Sequence, residues 1–304
     1  LSSLIKDISQ NKPFGKALRV YEVPSSMIDT LHSSGVIDTP KEMDIYPNQP
    51  LVLKSGQQSV LAVVAKEPSK IIRANTKLKW FGVSGRNKEQ ILLQNLLDDP
   101  EIRCLVITGP AGTGKTTVIG SYSLEQVTGQ GGIKKLILSK PLEIVTKSRY
   151  WGTVPGDEGD KFGPFLKSYT ILFENMAGGQ DGSAYIKTMM DKKIIEFMPL
   201  ELMRGASLRD CVCWYDEAQN LNHFEMLTLG SRLDDTGGSK LVLSGDLGQR
   251  DRNIQRNRTG IHKLVTSPHF LNSPYTAHID LVKNERGKIS QLFYDVFDDD
   301  PNKD

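Results

Sequence analysis

Gly109-Pro110-Ala111-Gly112-Thr113-Gly114-Lys115-Thr116 follows the apolar run Cys104-Leu105-Val106-Ile107 and precedes Val118-Ile119-Gly120-Ser121-Tyr122-Ser123-Leu124. The first run has the length of a buried strand and the second reads as a helix. The octapeptide therefore sits where backbone N–H groups and a helix N-terminus converge on an anion. Its three glycines permit close backbone approach to phosphate oxygens. In this pattern Gly109, Pro110, Ala111, Gly112, Thr113, Gly114, Lys115, Thr116 and Thr117 surround the phosphates of a nucleotide. Lys115 reaches the β- and γ-phosphates and the Thr116 hydroxyl sits on Mg²⁺, so ATP and Mg²⁺ are the expected ligands.

Downstream, Trp214-Tyr215-Asp216-Glu217-Ala218-Gln219-Asn220 places two carboxylates at the end of an apolar run. Adjacent carboxylates at a strand tip are costly unless a cation neutralises them, and Mg²⁺ carried by ATP supplies that charge. Asp216 is placed to hold the metal's water shell, and Glu217 to polarise the attacking water. Asp234-Asp235 lacks an apolar strand and reads as a solvated turn. The next apolar run ends in Ser244-Gly245-Asp246-Leu247-Gly248-Gln249, where Gln249 is the candidate to sense the γ-phosphate, against the reading of a β-turn with a solvent-facing glutamine. Arg250, Arg252, Arg256 and Arg258 then crowd a polar loop. Such a cluster suits a nucleic-acid backbone, a neighbouring subunit's ATP, or an ordinary charged surface.

Upstream, Gly82 to Gln90 is a loop leading into the amphipathic stretch Ile91-Leu92-Leu93-Gln94-Asn95-Leu96-Leu97, which ends before Asp98-Asp99-Pro100. Gln90 has two readings, part of a helix cap or a ligand for the adenine edge. Further strands are expected at Lys135–Lys140, Ile194–Phe197, Cys211–Tyr215, Leu241–Ser244 and His278–Val282, mostly separated by helix-sized stretches. That recurrence predicts an α/β fold with a mainly parallel sheet covered by helices on both faces. Between Pro141 and Ile194 a segment rich in Gly and aromatics reads as a lid or packed loop. Residues 1–44 read as a strand and short helices, and the runs at 51–53, 59–64 and 70–73 as strands. The expected division is a β-rich module over 1–80, an ATPase domain over 81–297 and an acidic tail over 298–304.

With Lys and Arg at 38 against Asp and Glu at 36, global charge neither demands nor excludes nucleic acid. The three cysteines fall in apolar runs, which suits small buried hydrophobes in a reducing, cytoplasmic setting. No run reaches the eighteen or so apolar residues of a membrane span, and the first residues show no signal pattern. The chain opens at Leu1, which leaves room for a segment upstream.

Gln90, the glycine loop, Asp216-Glu217-Ala218-Gln219-Asn220 and Gly245-Asp246-Leu247-Gly248-Gln249 together resemble the first motor core of superfamily-one helicases, and most closely the PhoH family. Lys140-Pro141, Val154-Pro155-Gly156-Asp157, Pro199-Leu200-Glu201-Leu202-Met203-Arg204-Gly205 and Glu285-Arg286 extend the resemblance, which covers residues 45–295. Asp234-Asp235 and Leu247-Gly248 depart from the family pattern. The resemblance implies a RecA-like P-loop NTPase core, hydrolysis of ATP coupled to nucleic acid (RNA favoured), and a hexameric ring. It resembles the ATPase part of longer PhoH proteins that carry a PIN ribonuclease domain; residues 1–44 are too few for one, so nuclease activity is not carried over.

The residues after the glycine loop suffice for one motor core only. An arginine stabilising the transition state then comes from a mobile part of the same core or from a neighbour, with Arg204 and Arg286 as candidates; either is equally readable as a structural ion-pair partner. Two other classes stand against the motor: an ATP-regulated binding or scaffold protein, and a small-molecule kinase, for which no acceptor pocket is evident.

Overall fold

The structure, a computed structural model, describes residues 5–9, 14–129, 132–141, 158–203, 205–234, 237–248, 259–285, 287–289, 292–293 and 296. The first unit is a six-stranded sheet built from β1 (Lys6–Asp7), β2 (Arg19–Glu22), β3 (Val36–Asp38), β4 (Pro50–Ser55), β5 (Gln58–Val64) and β6 (Lys70–Arg73). Its order is β1-β2-β4-β5-β6-β3, antiparallel except where β2 meets β4. Helix α1 (Ser25–Ser34) packs on it and ends at Gly35, whose φ of 77° closes the turn. Alternation along β5 fixes the unit's position. Val60, Ala62 and Val64 face its own core, whereas Leu61 and Val63 point the other way and pack on the core of the second unit.

The chain then forms a short hairpin, β7 (Lys79–Trp80) and β8 (Val83–Ser84), and helix α2 (Lys88–Asp98). Asn87 caps α2 by accepting from the Gln90 N–H at 3.0 Å. Leu92, Leu93, Leu96 and Leu97 recur at helical spacing on one face and are fully buried. Each contributes about 2 kcal/mol of apolar burial.

The second sheet contains β9 (Cys104–Thr108), β10 (Lys135–Ser139), β11 (Ile195–Phe197), β13 (Cys211–Tyr215), β15 (Lys240–Gly245) and β16 (Thr276–Asp280), and two-residue strands β12 (Leu208–Arg209) and β14 (Leu233–Asp234) pair beside it. The six strands run all parallel in the order β11-β10-β13-β15-β9-β16. The intervening helices are α3 (Lys115–Thr128), α4 (Glu158–Met176), α5 (Gln180–Asp191), α6 (Leu200–Met203), α7 (His223–Gly230), α8 (Gly260–Thr266) and α9 (Pro268–Asn272). Along β13, Val212 and Trp214 join the core shared with α2 to α5, while Cys211, Cys213 and Tyr215 join the core shared with α6 to α9. Both sheet faces are thus covered, which is why these strands read as unbroken apolar runs. This is the α/β, RecA-like core with a β-rich unit before it.

Three expectations need correcting. Residues 158–191 of the segment read as a lid or packed loop are two helices, despite Gly163 and Pro164. Tyr169 and Phe173 on α4 are buried against the core, and a Cβ on Gly120 of α3 would meet Leu172 and Phe173 at 3.2 Å. This close helix approach overrides the local breakers. Residues 142–157 lie outside the described residues. Asp234 is not in a solvated turn but in β14, 3.9 Å from Arg209. Strand β16 runs from 276 to 280, two residues earlier than expected.

Candidate nucleotide and metal site

Strand β15 lies between β9 and β13, so the loops following all three converge beyond the strands' C-terminal ends, where open α/β sheets bind ligands. There they border one open cleft of about 530 Å³, lined among others by Gly112, Lys115, Thr116, Asp216, Glu217 and Asp246. The glycine loop and the acidic strand tip, about a hundred residues apart in sequence, therefore share one cavity.

Gly109, Gly112 and Gly114 have φ of 142°, 90° and 87°. At Gly109 a Cβ would lie 2.1 Å from the Leu281 carbonyl, so only glycine fits there. Gly114 opens α3, whose first turn presents N–H groups to the cleft. The Lys115 ammonium donates to the Gly109 and Pro110 carbonyls, the latter at 2.8 Å. Burial pulls Lys115 below the ordinary lysine range, and the carboxylates of Asp246, Asp216, Glu217 and Asp280 oppose that shift.

Gln90 lines the cleft and already holds two backbone groups: its amide donates to the Thr113 carbonyl at 3.0 Å and accepts from the Arg86 N–H at 3.0 Å. Its neighbour Glu89 accepts from the N–H groups of Val282 and Lys283 at 2.8 and 3.0 Å. Glu285 N–H donates to the Gly112 carbonyl at 2.8 Å, and the Glu285 carboxylate accepts from Asn87 Nδ2 at 2.7 Å. The segment after β16 is thus fastened across the glycine loop.

At the strand tip, Asp216 is held from two sides. Ser244 Oγ donates to one oxygen at 2.6 Å and Tyr169 O–H to the other at 2.6 Å. Trp214 Nε1 donates to the same Ser244 Oγ at 2.8 Å. Burial, reinforced by Asp216, raises the Tyr169 phenol far above its ordinary range, so it remains a donor. Glu217 occupies the left-handed region at φ 55°, which is costly for a residue with a Cβ and is found where a side chain must be aimed. Its carboxylate accepts from Gln219 Nε2 at 2.7 Å, and Gln219 Oε1 in turn accepts from the Asp246 N–H at 3.1 Å. Gln219 so bridges the tips of β13 and β15.

Beneath the loop, Thr108 Oγ1 donates to Asp280 at 2.8 Å and lies 2.9 Å from His278 Nε2. Burial lowers the His278 pKa to about 4, against the opposing pull of Asp280.

Of the sequence candidates, Gln90, Ala111, Gly112, Gly114, Lys115, Thr116, Thr117, Asp216 and Glu217 line this cleft, whereas Gly109, Pro110 and Thr113 belong to the same loop without lining it. Gln249, Arg204, Arg286 and the arginines at 250, 252, 256 and 258 lie outside the described residues. Sequence reasoning missed Tyr169, Ser244, Gln219 and Glu285 as partners in the site. Ser244 and Gln219 sat inside the quoted motifs, which was the available signal; Tyr169 came from the segment read as a lid, where no pattern pointed to it.

The family model described as "PhoH-like protein" matches residues 82–298. Among curated proteins, Protein PhoH2 of Thermobispora bispora is 31% identical over 91% of this chain and 62% of its own length. Protein PhoH2 of Mycolicibacterium smegmatis is 29% identical over 91% of this chain and 61% of its own length. The chain thus spans about three fifths of these relatives. Among solved structures, the Pif1 helicase from Bacteroides in complex with ADP-AlF3 and ssDNA aligns with 70% of this chain and 46% of its own, at 16% identity and a TM-score of 0.37. A likeness of that size carries no argument about this chain. No helix among the described residues is long and apolar enough to cross a membrane.

Proposed function

Because this chain belongs to the PhoH-like protein family, we propose that it is a P-loop ATPase whose turnover drives movement along, or unwinding of, a nucleic acid, with single-stranded RNA as the favoured partner. The observation that carries the reading is the meeting of Lys115, Thr116, Asp216 and Glu217 in one cleft. In it, the loop amides and Lys115 bind and orient the β- and γ-phosphates. Glu217, aimed by its left-handed backbone and by Gln219, takes the proton of the attacking water. Gln219 passes any change at that carboxylate to the β15 loop, where Gln249 is the proposed sensor. Gln90 positions the glycine loop through Thr113 and offers its remaining edge to adenine.

The residues fit Mg²⁺. Among the described residues Asp216, Glu217, Asp246 and Glu285 line the cleft against Lys115 and Arg86, a local excess of negative charge that suits a divalent cation. Among the described residues no group of three or more His, Cys, Asp and Glu side chains forms a metal cage. Mg²⁺ typically takes one or two carboxylates plus substrate phosphates rather than such a cage. Thr116 and Asp216 would hold it, and when bound it would neutralise charge developing on the β- and γ-phosphates.

The same reading keeps residues 1–80 as a module serving an ATPase part over 81–297, in a cytoplasmic setting that suits three free cysteines. It assigns the transition-state arginine to Arg204 or Arg286, supplied within a homo-oligomeric, hexameric ring. The test is ATP turnover with and without single-stranded RNA or DNA, at 50–300 mM salt. Stimulation that fades with salt is expected. Brisk turnover indifferent to any oligonucleotide defeats the motor reading and favours an ATP-timed scaffold. Glu217→Gln should still bind ATP and lose turnover by roughly 10²–10⁴-fold.

A further inference from the structure

The whole chain carries a net charge of only +2, yet residues 66–88 hold seven Lys and Arg against one acidic residue, Glu67. Elsewhere, then, acid outweighs base. All seven cations, Lys66, Lys70, Arg73, Lys77, Lys79, Arg86 and Lys88, are exposed. The first three are engaged: Lys66 pairs with Glu101, Lys70 with Asp38, and Arg73 donates to the His32 carbonyl at 2.8 Å. Lys77, Lys79 and Lys88 form no ion pair among the described residues, and Arg86 faces Glu285 of the cleft wall without a close ion pair. Glu89, next in sequence, does not neutralise them, because it is buried on the N–H groups of Val282 and Lys283.

This basic stretch is placed where binding would be felt at the cleft. It starts on the β-rich unit and ends in the cleft wall, which Gly82, Val83, Ser84 and Arg86 help to form. Its hairpin, β7 and β8, packs on α3, the helix that begins at Lys115. Trp80 is buried edge-on against Tyr122 of that helix, with ring centroids 5.3 Å apart. Unpaired exposed cations cost self-repulsion, and a polyanion relieves it by releasing its condensed counterions.

We propose that residues 77–88 form a track for the phosphate backbone of single-stranded nucleic acid, coupled to the ATP cleft through the Trp80 hairpin. The proposal rests on the motor reading above and names the surface by which that motor meets its partner. It makes the β-rich unit and hairpin part of the nucleic-acid interface rather than a passive appendage.

The test uses the full chain and the triple variant Lys77→Gln, Lys79→Gln, Lys88→Gln, all at exposed positions outside the catalytic cleft. Binding of a fluorescein-labelled 20-nucleotide single-stranded RNA is followed by polarisation at 50–300 mM salt. Losing three phosphate contacts should make the slope of log K against log salt shallower by about 2. Extrapolated from 1 M, that is about 100-fold weaker binding at 0.1 M salt. ATP turnover without RNA should be unchanged, and its stimulation by RNA should fall in step with binding. If the wild type binds RNA and the variant binds it with the same affinity and slope, the track is wrong while the motor reading stands. If the wild type binds no RNA or DNA at any salt, the motor reading fails first and takes the track with it. Preferential binding of the wild type to vesicles containing phosphatidylserine, over both oligonucleotides, also overturns the proposal.

Discussion

Ser244→Ala tests whether the acidic tip is held by its hydrogen bonds. Ser244 and Trp214 are fully buried on adjacent strands, and the serine oxygen accepts from the indole N–H at 2.8 Å while donating to Asp216 at 2.6 Å. Removing one hydroxyl leaves a void too small for water, so the indole N–H is orphaned at a cost of about 1–3 kcal/mol. The charge-assisted bond to Asp216 is worth about 1.5–3 kcal/mol, at the lower end here because the carboxylate borders an open cleft and can recruit water. The expected loss is about 3 kcal/mol. It is read as a lower urea midpoint with unchanged m-value. Pairing Ser244→Ala with Trp214→Phe removes both partners, so the double variant should lose less than the sum of the singles by about 1–2 kcal/mol. Mg²⁺-dependent nucleotide binding should weaken by about 10–100-fold, as for other groups that orient a metal ligand. A Ser244→Ala protein within about 0.5 kcal/mol of wild type, with intact Mg²⁺ dependence, would refute the argument that this hydroxyl positions Asp216.

Gly109→Ala forces a Cβ to 2.1 Å from the Leu281 carbonyl at a φ of 142°, so it should cost more than about 2 kcal/mol in thermal unfolding and abolish binding of a fluorescent ATP analogue; a variant that melts and binds like wild type would contradict the loop geometry. Gln219→Leu removes the bridge from Glu217 to the Asp246 N–H, and should leave analogue binding nearly intact while lowering turnover by about tenfold or more; a change in KM alone would count against a bridging role. Stability should rise with pH from about 4 to 9. Burial lowers His278 from 6.5 to about 4, and Lys16 and Lys240 from 10.5 to about 7, so across these intervals the unfolded chain binds more protons than the folded one. Above about pH 10 the trend should reverse, because the two lysines then lose their protons in the unfolded chain as well, while burial, which raises Cys104 to about 12 and Cys211 to about 11, leaves the unfolded thiols to ionise first. Chemical denaturation across pH 5–10.5 checks both signs, and Lys16→Met should flatten the slope between pH 7 and 9. Chelation of Mg²⁺ should stop hydrolysis while leaving the melting temperature of the nucleotide-free protein unchanged; a large drop in that temperature would show that the ion is structural.

The elements of the parallel sheet were legible because strands buried on both faces must be apolar throughout, as Cys211-Val212-Cys213-Trp214-Tyr215 and Leu241-Val242-Leu243 are. The glycine loop was legible because its left-handed turns constrain closely spaced residues to glycine, and local constraints leave local patterns. The helices over 158–191 were not legible, since Gly163 and Pro164 argue against a helix and only the packing of Tyr169 and Phe173 on α3 shows why it forms. The N-terminal unit's second face was hidden as well: Leu61 and Val63 look like ordinary strand residues, and their partners lie beyond the unit itself.

By itself the sequence determined that a glycine loop follows a strand and opens a helix, and that two carboxylates end a later strand. Only the tertiary structure decided that β15 lies between those strands, and so that Ser244 holds Asp216 while Gln219 reaches from Glu217 to Asp246. The physical reason is one of range. Backbone geometry and burial act over a few neighbours and imprint a period on the chain, whereas a hydrogen bond between strand tips depends on sheet order, which the cooperative packing of the whole core selects.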